Sequence, residues 1–186
     1  PWYLTVDPQH RIIRGRAYFI IKRAIDILAC LMVAPIVGPV LLLVALAVYI
    51  DSPGKVLFTQ LRTGKGGRRF RMYKFRSMVP NAEELKIKYA HLNELTWPDF
   101  KITNDPRITR VGKILRKTSL DELPQLWNVL NGTMSLIGPR PFLPEQRPLY
   151  ADGNPDTAYY RLRPGISGLW QVSRRNAGSF RERVQY

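Results

Sequence analysis

Two adjacent carboxylates, Asp121 and Glu122, stand in a chain whose charged residues are mostly arginine and lysine. Pro124 and the helical spacing of apolar residues from Leu123 to Leu130 predict a helix start beside the pair. A helix N-terminus offers N–H groups to a phosphate. The two carboxylates could share a Mg²⁺ ion with substrate phosphates, or one could attack phosphorus and form an acyl phosphate. A structural alternative is a capping box, since Ser119 and Glu122 fit the pattern S-x-x-E.

A second set of candidate residues consists of basic side chains at irregular positions. Arg140 stands apart because Pro139 and Pro141 restrict its backbone, which reduces the entropy lost in holding a ligand. An arginine fork also matches the geometry of a phosphate. Solvated surface is the alternative for most of the set, which comprises Lys74, Arg76, Arg116, Lys117, Arg140 and Arg163. The two histidines, His10 and His91, lack the spacing of zinc ligands, so we expect no zinc site.

The sequence from Ile27 to Ile50 contains no charged residue. This uncharged run would set the position of the candidate residues relative to a membrane. Its 24 residues (50 − 27 + 1) are enough to cross a bilayer, which takes about 20 apolar residues. Pro35 and Pro39 each remove a helical N–H, so they predict a break in the helix. Basic residues flank the run on both sides, which predicts that both ends face the cytoplasm and that the segment is re-entrant. An ordinary kinked transmembrane helix is the alternative.

Charge and composition narrow the classes of partner. The chain has 186 residues, a net charge of +15 and a pI near 10.4, which suggests nucleic acid, anionic lipid or a phosphorylated substrate. One cysteine, Cys30, excludes an internal disulfide framework and fits a cytosol-facing protein. Aromatic residues near the N-terminus predict an interfacial segment over residues 1–19. Arg23 and Asp26 are one helical turn apart, so we predict that they pair.

The remaining chain predicts one mixed domain over residues 53–186. Val56–Leu61 and Phe70–Phe75 are rich in aromatic and β-branched residues and are typical of strands, with a hairpin loop at Gly64–Gly67. Asn81–Asn93 has the composition of a surface helix, and a long loop follows over residues 97–105. The re-entrant helix, residues 20–52, would precede this domain. The predicted fold class is therefore α/β in the loose α+β sense.

Four stretches of this chain together resemble the bacterial sugar transferase family, the monotopic phosphoglycosyl transferases. Within that family the chain is most similar to hexose-1-phosphate transferases that act on undecaprenyl phosphate. The resemblance extends from about Lys22 to the C-terminus. The matching stretches are KFRSM at residues 74–78, RKTSLDELPQLWNVL at 116–130, MSLIGPRP at 134–141 and RPGISGLWQV at 163–172.

The resemblance implies a reaction and a set of roles. A UDP-sugar would donate its sugar phosphate to undecaprenyl phosphate, giving polyprenol-diphosphate-sugar and UMP. Asp121 would be the nucleophile of a covalent intermediate, and Glu122 its metal-site or proton-handling partner, with Mg²⁺ or Mn²⁺ as cofactor. The phosphates or the uridine would be held by residues of the four stretches, namely Lys74, Arg76, Arg116, Pro139, Arg140, Pro141 and Arg163.

The resemblance also implies a cellular setting. The catalytic domain would have an irregular, family-specific fold on a re-entrant hairpin, against the cytoplasmic face of the bacterial inner membrane. It would catalyse the first membrane step of surface-glycan synthesis, with the phospholipid bilayer as a partner and homo-oligomerisation left open. Nucleic acid is not expected as a partner.

Three departures from the family pattern qualify the resemblance. Ala34 precedes Pro35 where the family often has serine, so a freed carbonyl needs another partner. Arg174 follows Ser173 where the family tends to have glycine, and the stop at Tyr186 predicts a truncated C-terminus. Two other functions stay open: a membrane-tethered nucleic-acid-binding module, which should interleave stacking aromatics with basic residues, and a non-catalytic scaffold. No motif identifies the sugar.

Overall fold

A computed structural model describes residues 15–95, 100–149, 158–168 and 171–172 of the chain. It combines helices with two small sheets, so the predicted mixed class is confirmed. The helices are α1 (Gly15–Asp51), α2 (Ala82–Lys88), α3 (Arg110–Thr118), α4 (Gln125–Leu130) and α5 (Ala158–Arg161). The strands are β1 (Leu57–Thr63), β2 (Arg69–Phe75), β3 (Ser135–Ile137) and β4 (Gly165–Ser167).

Helix α1 is long and apolar enough to cross a membrane, and it continues through both prolines. Both prolines therefore lie within helical residues, and the predicted break at Pro35 and Pro39 stays a prediction. Proline's fixed φ suits a helix, so its cost is confined to a lost hydrogen bond and a crowded carbonyl four residues back. Because the prolines are four apart, Pro35 is the residue whose carbonyl Pro39 leaves without a donor. The re-entrant path itself stays a prediction.

Both halves of α1 pack against the rest of the protein. Its first half contributes to a core cluster of Cys30, Phe70, Met72, Val129 and Met134. Its second half contributes to a second cluster of Val44, Val48, Phe75 and Leu115. Between these contacts the residues from Leu31 to Pro39 are exposed or only partly covered, although none is charged. The protein therefore contacts α1 in both halves and leaves most of the apolar side chains between them exposed.

Polar contacts fix the first half of α1 to the strand β3. The buried Asp26 carboxylate accepts from Lys22 Nζ at 2.6 Å, from the Ser135 hydroxyl at 2.8 Å and from the Leu136 N–H at 3.2 Å. The predicted pairing of Asp26 with Arg23 is wrong, since Lys22 is the closer partner at the i, i+4 spacing of a helix.

The guanidinium of Arg23 binds the end of α4 instead. It donates to the carbonyl of Val129 and, at 2.8 Å, to that of Leu130. These carbonyls lie in the last turn of α4, where a cation is favoured by the orphan acceptors and the helix dipole. The long helix α1 therefore caps the C-terminal end of α4.

Strands β1 and β2 form the predicted antiparallel hairpin, with Leu57 opposite Phe75 and Thr63 opposite Arg69. Gly66 and Gly67 have φ of 66° and 71° in the connecting loop, a region that glycine enters without a Cβ clash. The inner face of β2 carries alternating side chains that point into the protein, namely Phe70, Met72 and Lys74. This alternation places one lysine on the same face as two core residues.

A second sheet pairs β3 with β4 in parallel. Its backbones approach closely at two glycines, because a Cβ at Gly138 would lie 2.2 Å from the Arg163 carbonyl oxygen and one at Gly165 would lie 2.1 Å from the Gly138 nitrogen. Only glycine tolerates that approach. The contact brings the segments around Pro139 and Pro164 together.

Asn128, which is fully buried in α4, joins that helix to the hairpin. Its side-chain amide donates to the Arg71 carbonyl at 2.8 Å, and its side-chain oxygen accepts from the Tyr73 N–H at 3.0 Å. The carboxamide thus pairs with β2 as a neighbouring strand would. Its own carbonyl accepts from the Met134 N–H at 2.9 Å, which begins the path to β3.

We expect Asn128→Ala to lower the free energy of unfolding by about 2–4 kcal/mol, because it leaves two backbone groups of β2 buried without partners. Chemical denaturation of the variant and the parent protein in the same detergent would measure this loss. Lys113→Ala, at an exposed position of α3, should change stability by less than about 0.5 kcal/mol. Equal stability of Asn128→Ala and the parent protein would show that the carboxamide does not hold β2 to α4.

Candidate active site

The carboxylates Asp121 and Glu122 lie in a tight turn between two helices. Helix α3 ends at Thr118, Ser119 takes a left-handed φ of 60°, and residues Leu120–Glu122 form a single 3₁₀ turn. Helix α4 begins only at Gln125. The predicted helix start beside the pair is thus a 3₁₀ turn that contains both carboxylates, and the α-helix proper begins three residues after Glu122.

The structural alternative of a capping box is also wrong. The Ser119 side chain makes no capping hydrogen bond to the turn, and the Glu122 N–H donates to the Ser119 backbone carbonyl at 3.1 Å. The Glu122 carboxylate points away from its own backbone. Its Oε1 atom accepts from Lys74 Nζ at 2.7 Å.

The ion pair of Lys74 and Glu122 links the hairpin to the turn. The two side chains are 21% and 22% exposed, so the pair is partly shielded from water but open to a ligand. Lys74 reaches the turn from the inner face of β2, next to the core residue Met72. Packing of the hairpin on α4 therefore decides where this positive charge lies.

Asp121 lies half-buried beside Glu122. Partial burial raises the pKa of Asp121, and the neighbouring Glu122 raises it further, while Lys74 and Arg116 oppose the rise. The net effect is a carboxylate that is poorly solvated and incompletely compensated by cations. A group of this kind is typical of functional sites, where charge is kept at a cost to stability.

The structure separates the predicted basic residues into two groups. Lys74 and Arg116 act electrostatically on Asp121, and the Arg116 Nε donates to the Ser77 hydroxyl at 2.9 Å. Arg76, by contrast, is buried and donates to the Ser52 carbonyl at the end of α1. The Nε of Arg163 donates to the Gly132 carbonyl at 2.8 Å. Arg76 and Arg163 thus bind backbone, as structural residues do.

The segment of Pro139, Arg140 and Pro141 connects β3 to Phe142, which is paired with Thr63 at the end of β1. Arg140 is half-buried there. Its role in substrate binding stays a prediction. Lys117 is exposed in the last turn of α3.

Sequence reasoning missed the residues that position the site. Asn128 was noticed only as part of a motif, although an amide within the apolar spacing of Leu123–Leu130 could have indicated a buried polar anchor. Lys22, Arg23 and Asp26 were read as flanking charges of the membrane segment. Besides the local pair of Lys22 with Asp26, their partners are Ser135, Leu136 and the end of α4, more than 100 residues away, and no local pattern reveals such contacts.

The carboxylates fit a metal ion only in combination with a ligand. Among the residues that the structure describes, no group of three or more His, Cys, Asp or Glu side chains is placed to hold a metal. Mg²⁺ commonly takes one or two protein carboxylates and completes its shell with water and substrate phosphates. Asp121 and Glu122 match that arrangement, with Glu122 also engaged by Lys74.

The comparison with protein families decides the classification. A model described as "Bacterial sugar transferase" matches residues 17–186. The chain belongs to the bacterial sugar transferase family. The resemblance drawn from its four sequence stretches is thereby confirmed, and the turn that carries Asp121 and Glu122 lies within the matched region.

Relatives of known name share much of this sequence. The UDP-galactose-lipid carrier transferase of Erwinia amylovora is 44% identical over 170 residues, which cover 89% of this chain and 35% of the relative. The undecaprenyl-phosphate galactose phosphotransferase of Salmonella typhimurium is 45% identical over 171 residues, with the same coverage. The exopolysaccharide production protein ExoY of Rhizobium meliloti is 39% identical over 172 residues, or 74% of its length. The chain thus spans about a third of the first two relatives.

We expect Asp121→Asn to raise the thermal unfolding midpoint at pH 7–8. The folded protein raises the pKa of Asp121, so it holds the proton more tightly than the unfolded chain, and ionisation above both pKa values costs stability. Asparagine removes that cost. The gain should shrink as the pH falls towards the ordinary aspartate value of about 4. Thermal scans across this pH range would measure it.

Asp105→Asn provides the matched comparison with the opposite sign. Arg107 binds Asp105 through a buried two-bond fork at 2.6 and 2.9 Å and lowers its pKa. That stabilisation is present above the unfolded pKa and is lost as the pH falls through the folded value. Asp105→Asn should therefore cost about 3 kcal/mol at neutral pH. A similar loss for Asp121→Asn would contradict the raised pKa of Asp121.

Proposed function

We propose that this chain catalyses phosphoglycosyl transfer. It would take a sugar 1-phosphate from a UDP-sugar and transfer it to undecaprenyl phosphate, giving polyprenol-diphosphate-sugar and UMP. The observation that carries the proposal is Asp121, a partly buried carboxyl group whose pKa is raised. It lies beside the Lys74–Glu122 ion pair, on a turn that the protein fixes to an apolar helix. The printed names of the relatives, which include a lipid carrier transferase and phosphotransferases, support the reaction class.

The chemistry divides into two displacements at one phosphorus atom. A carboxylate oxygen of Asp121 attacks the phosphorus that bears the sugar, a new P–O bond forms, and the bond to the UMP oxygen breaks. UMP leaves with the bonding electron pair. An oxygen of the lipid phosphate then attacks the same phosphorus, the bond to Asp121 breaks, and the carboxylate is regenerated.

Charge explains why two steps are preferable to one. Donor and acceptor are both anionic, so direct attack would bring a phosphate against a diphosphate. A covalent intermediate separates the two encounters in time, because UMP departs before the lipid phosphate attacks. Lys74 and Arg116, the cations that act on Asp121, would offset the negative charge of each incoming group.

Residue roles follow from these positions. The weak solvation of Asp121 leaves less water to displace when it attacks. Glu122 would hold Lys74 in place and share the divalent cation. Mg²⁺ would be bound by the two carboxylates together with the substrate phosphates, where it neutralises phosphate charge. A role for Arg140 in holding phosphate or uridine belongs to the same proposal.

The first test is UMP release without lipid acceptor. Protein mixed with the correct UDP-sugar should release UMP in a burst no larger than the protein concentration, and mass spectrometry should find sugar phosphate on the peptide that contains Asp121. A panel of UDP-sugars would identify the donor. Asp121→Asn should abolish both results, because an amide is a far weaker nucleophile.

Glu84→Gln, which neutralises an exposed carboxylate on α2, is the matched control and should keep the burst. A correct donor that turns over with lipid, yet gives neither burst nor adduct, would favour direct transfer. No UMP from any donor, with lipid present, would favour the non-catalytic scaffold. Because the chain belongs to the bacterial sugar transferase family, a nucleic-acid-binding module is no longer needed to explain it.

Metal dependence is a separate expectation. Excess chelator should abolish turnover, and added Mg²⁺ or Mn²⁺ should restore it. The reason is that Asp121 and Glu122 would hold the divalent ion together with the substrate phosphates. Turnover measured with and without chelator would test this. Undiminished activity in chelator would remove the metal from the mechanism.

The membrane topology belongs to this proposal as well. The first half of α1 packs on one core cluster of the domain, and its second half, from Val40 onward, packs on the other. Between them, the residues from Leu31 to Pro39 are exposed or only partly covered. Because the same domain holds both halves of the helix, we propose that α1 enters one leaflet, turns at Pro35 and Pro39, and returns. The domain would then lie on the cytoplasmic face of the bacterial inner membrane.

Thiol labelling would distinguish the two topologies. In a Cys30→Ala background, Ala17→Cys and Lys55→Cys place thiols at exposed positions on opposite flanks of the apolar stretch. Both should resist an impermeant reagent in intact cells and react once the membrane is opened. Labelling of one site alone from outside would mean that α1 spans the bilayer.

A further inference from the structure

The loop of the β1–β2 hairpin rests on the start of α1, far along the strand from the ion pair of Lys74. The Nζ atom of Lys65 lies 4.4 Å from the centre of the Phe19 ring. Phe19 in turn makes an edge-to-face contact with Tyr18, with ring centres 5.4 Å apart. A cation–π contact of this kind holds the lysine in place without neutralising its charge.

Three further cations belong to this loop and to the segments next to it. Arg68 lies beside Lys65 in the loop, and Arg16 lies in the first turn of α1. The Arg147 guanidinium comes within 3.7 Å of the position that a Cβ on Gly67 would take. We call Arg16, Lys65, Arg68 and Arg147 the hairpin patch. All four are exposed, and within the part of the chain that the structure describes none of them forms an ion pair.

The neighbouring cations of α1 are different. Lys22 is paired with Asp26, and Arg23 binds the carbonyls of α4. These two charges are used within the protein. Among the residues that the structure describes, no carboxylate forms an ion pair with the hairpin patch.

The position of the hairpin patch along α1 indicates a membrane surface. Tyr18 and Phe19 are 40% and 38% exposed, and the exposed apolar residues Ile20, Ile21 and Ile25 follow immediately. Aromatic rings at the boundary between charged and apolar residues are typical of the headgroup level of a bilayer. The hairpin patch lies at that boundary.

We propose that the hairpin patch binds the headgroups of anionic phospholipids and so seats the hairpin loop on the membrane beside α1. The cytoplasmic leaflet attracts basic residues that lie near its surface, and each contributes a separate increment of binding. Because the loop is one end of β2 and Lys74 is near the other, seating the loop would also orient the strand that carries the Lys74 ammonium towards Glu122.

The form of the patch favours a lipid surface over a soluble phosphate or nucleotide. A site for a small anion encloses it with buried, converging donors. The four cations here are exposed side chains from three separate segments of the chain, which makes a broad charged surface. This inference does not depend on the proposed reaction, and binding can be measured without turnover.

Lysine footprinting in lipid nanodiscs tests it directly. The protein is placed in nanodiscs of phosphatidylcholine alone or of phosphatidylcholine with phosphatidylglycerol, and an amine-reactive reagent is followed by mass spectrometry. Lys65 should react several-fold more slowly in the anionic nanodiscs, and the difference should vanish at about 1 M salt, where the screening length is only about 3 Å. Lys86 and Lys88 on α2 are internal controls and should react equally in both.

A pair of double variants separates this surface from net charge. Purified protein is offered liposomes of both compositions, which are then separated by density. Replacing Lys65 and Arg68 by glutamine should lower the preference for anionic liposomes by about five-fold for each cation removed. Replacing Lys86 and Lys88 by glutamine makes the same charge change on α2 and should lower it less than two-fold. Unchanged thermal midpoints would show that both variants fold.

Three outcomes would overturn the proposal. Equal reactivity of Lys65 in the two kinds of nanodisc would show that the loop does not touch the headgroups. An equal loss of preference for both double variants would assign the effect to net charge. Protection of Lys65 by millimolar inorganic phosphate or UMP in phosphatidylcholine nanodiscs would assign the patch to a soluble ligand instead.

Discussion

The attachment of α1 to the catalytic unit is the constraint on which the rest of the structure depends. One long apolar helix is bound by a polar cluster around Asp26 in its first half and by a hydrophobic cluster around Val48 in its second. A helix held in two places cannot move independently of the elements that hold it. The position of the site relative to α1 is therefore set by side chains outside the site.

Strand β2 transmits this attachment to the chemistry. Its inner face supplies Phe70 and Met72 to the core beside Cys30, and the next inward position supplies Lys74 to Glu122. Asn128 fixes the same strand to α4 through hydrogen bonds to its backbone. Core packing, strand alternation and one buried amide thus place a single ammonium group within 2.7 Å of a carboxylate. Phe70, Met72 and Asn128 position the ammonium group without being chemically reactive themselves.

Asp121 shows the cost of such an arrangement. Its carboxylate lies on a turn opened by the left-handed Ser119, is partly buried, and has the second carboxylate beside it. Asp105, by contrast, is buried with the fork of Arg107 bound to both of its carboxylate oxygens. The contrast between these two aspartates indicates that the protein loses stability at Asp121. Such a loss is expected where a group reacts with a substrate that binds from solution.

Much of this protein followed from the sequence by itself. Local rules were sufficient for the β1–β2 hairpin, whose strand composition and glycine loop act over neighbouring residues, and for the surface helix around α2. The uncharged run that forms α1 could be identified because hydrophobicity is a property of composition. Motif spacing identified the family and singled out Asp121 and Glu122. Each of these depends on residues that lie close together in the chain.

Tertiary structure alone decided the rest. Only folding brought Asp26 to Ser135 and Leu136 and Arg23 to the end of α4, each more than 100 residues away. The helix continued through two prolines, although their local preference argues against it. Arg76 and Arg163, which the sequence offered as phosphate-binding candidates, donate to backbone carbonyls instead, Arg76 from a buried position and Arg163 from a half-buried one. Partner choice among like charges depends on distance and burial in three dimensions, and a linear pattern of residue types contains neither.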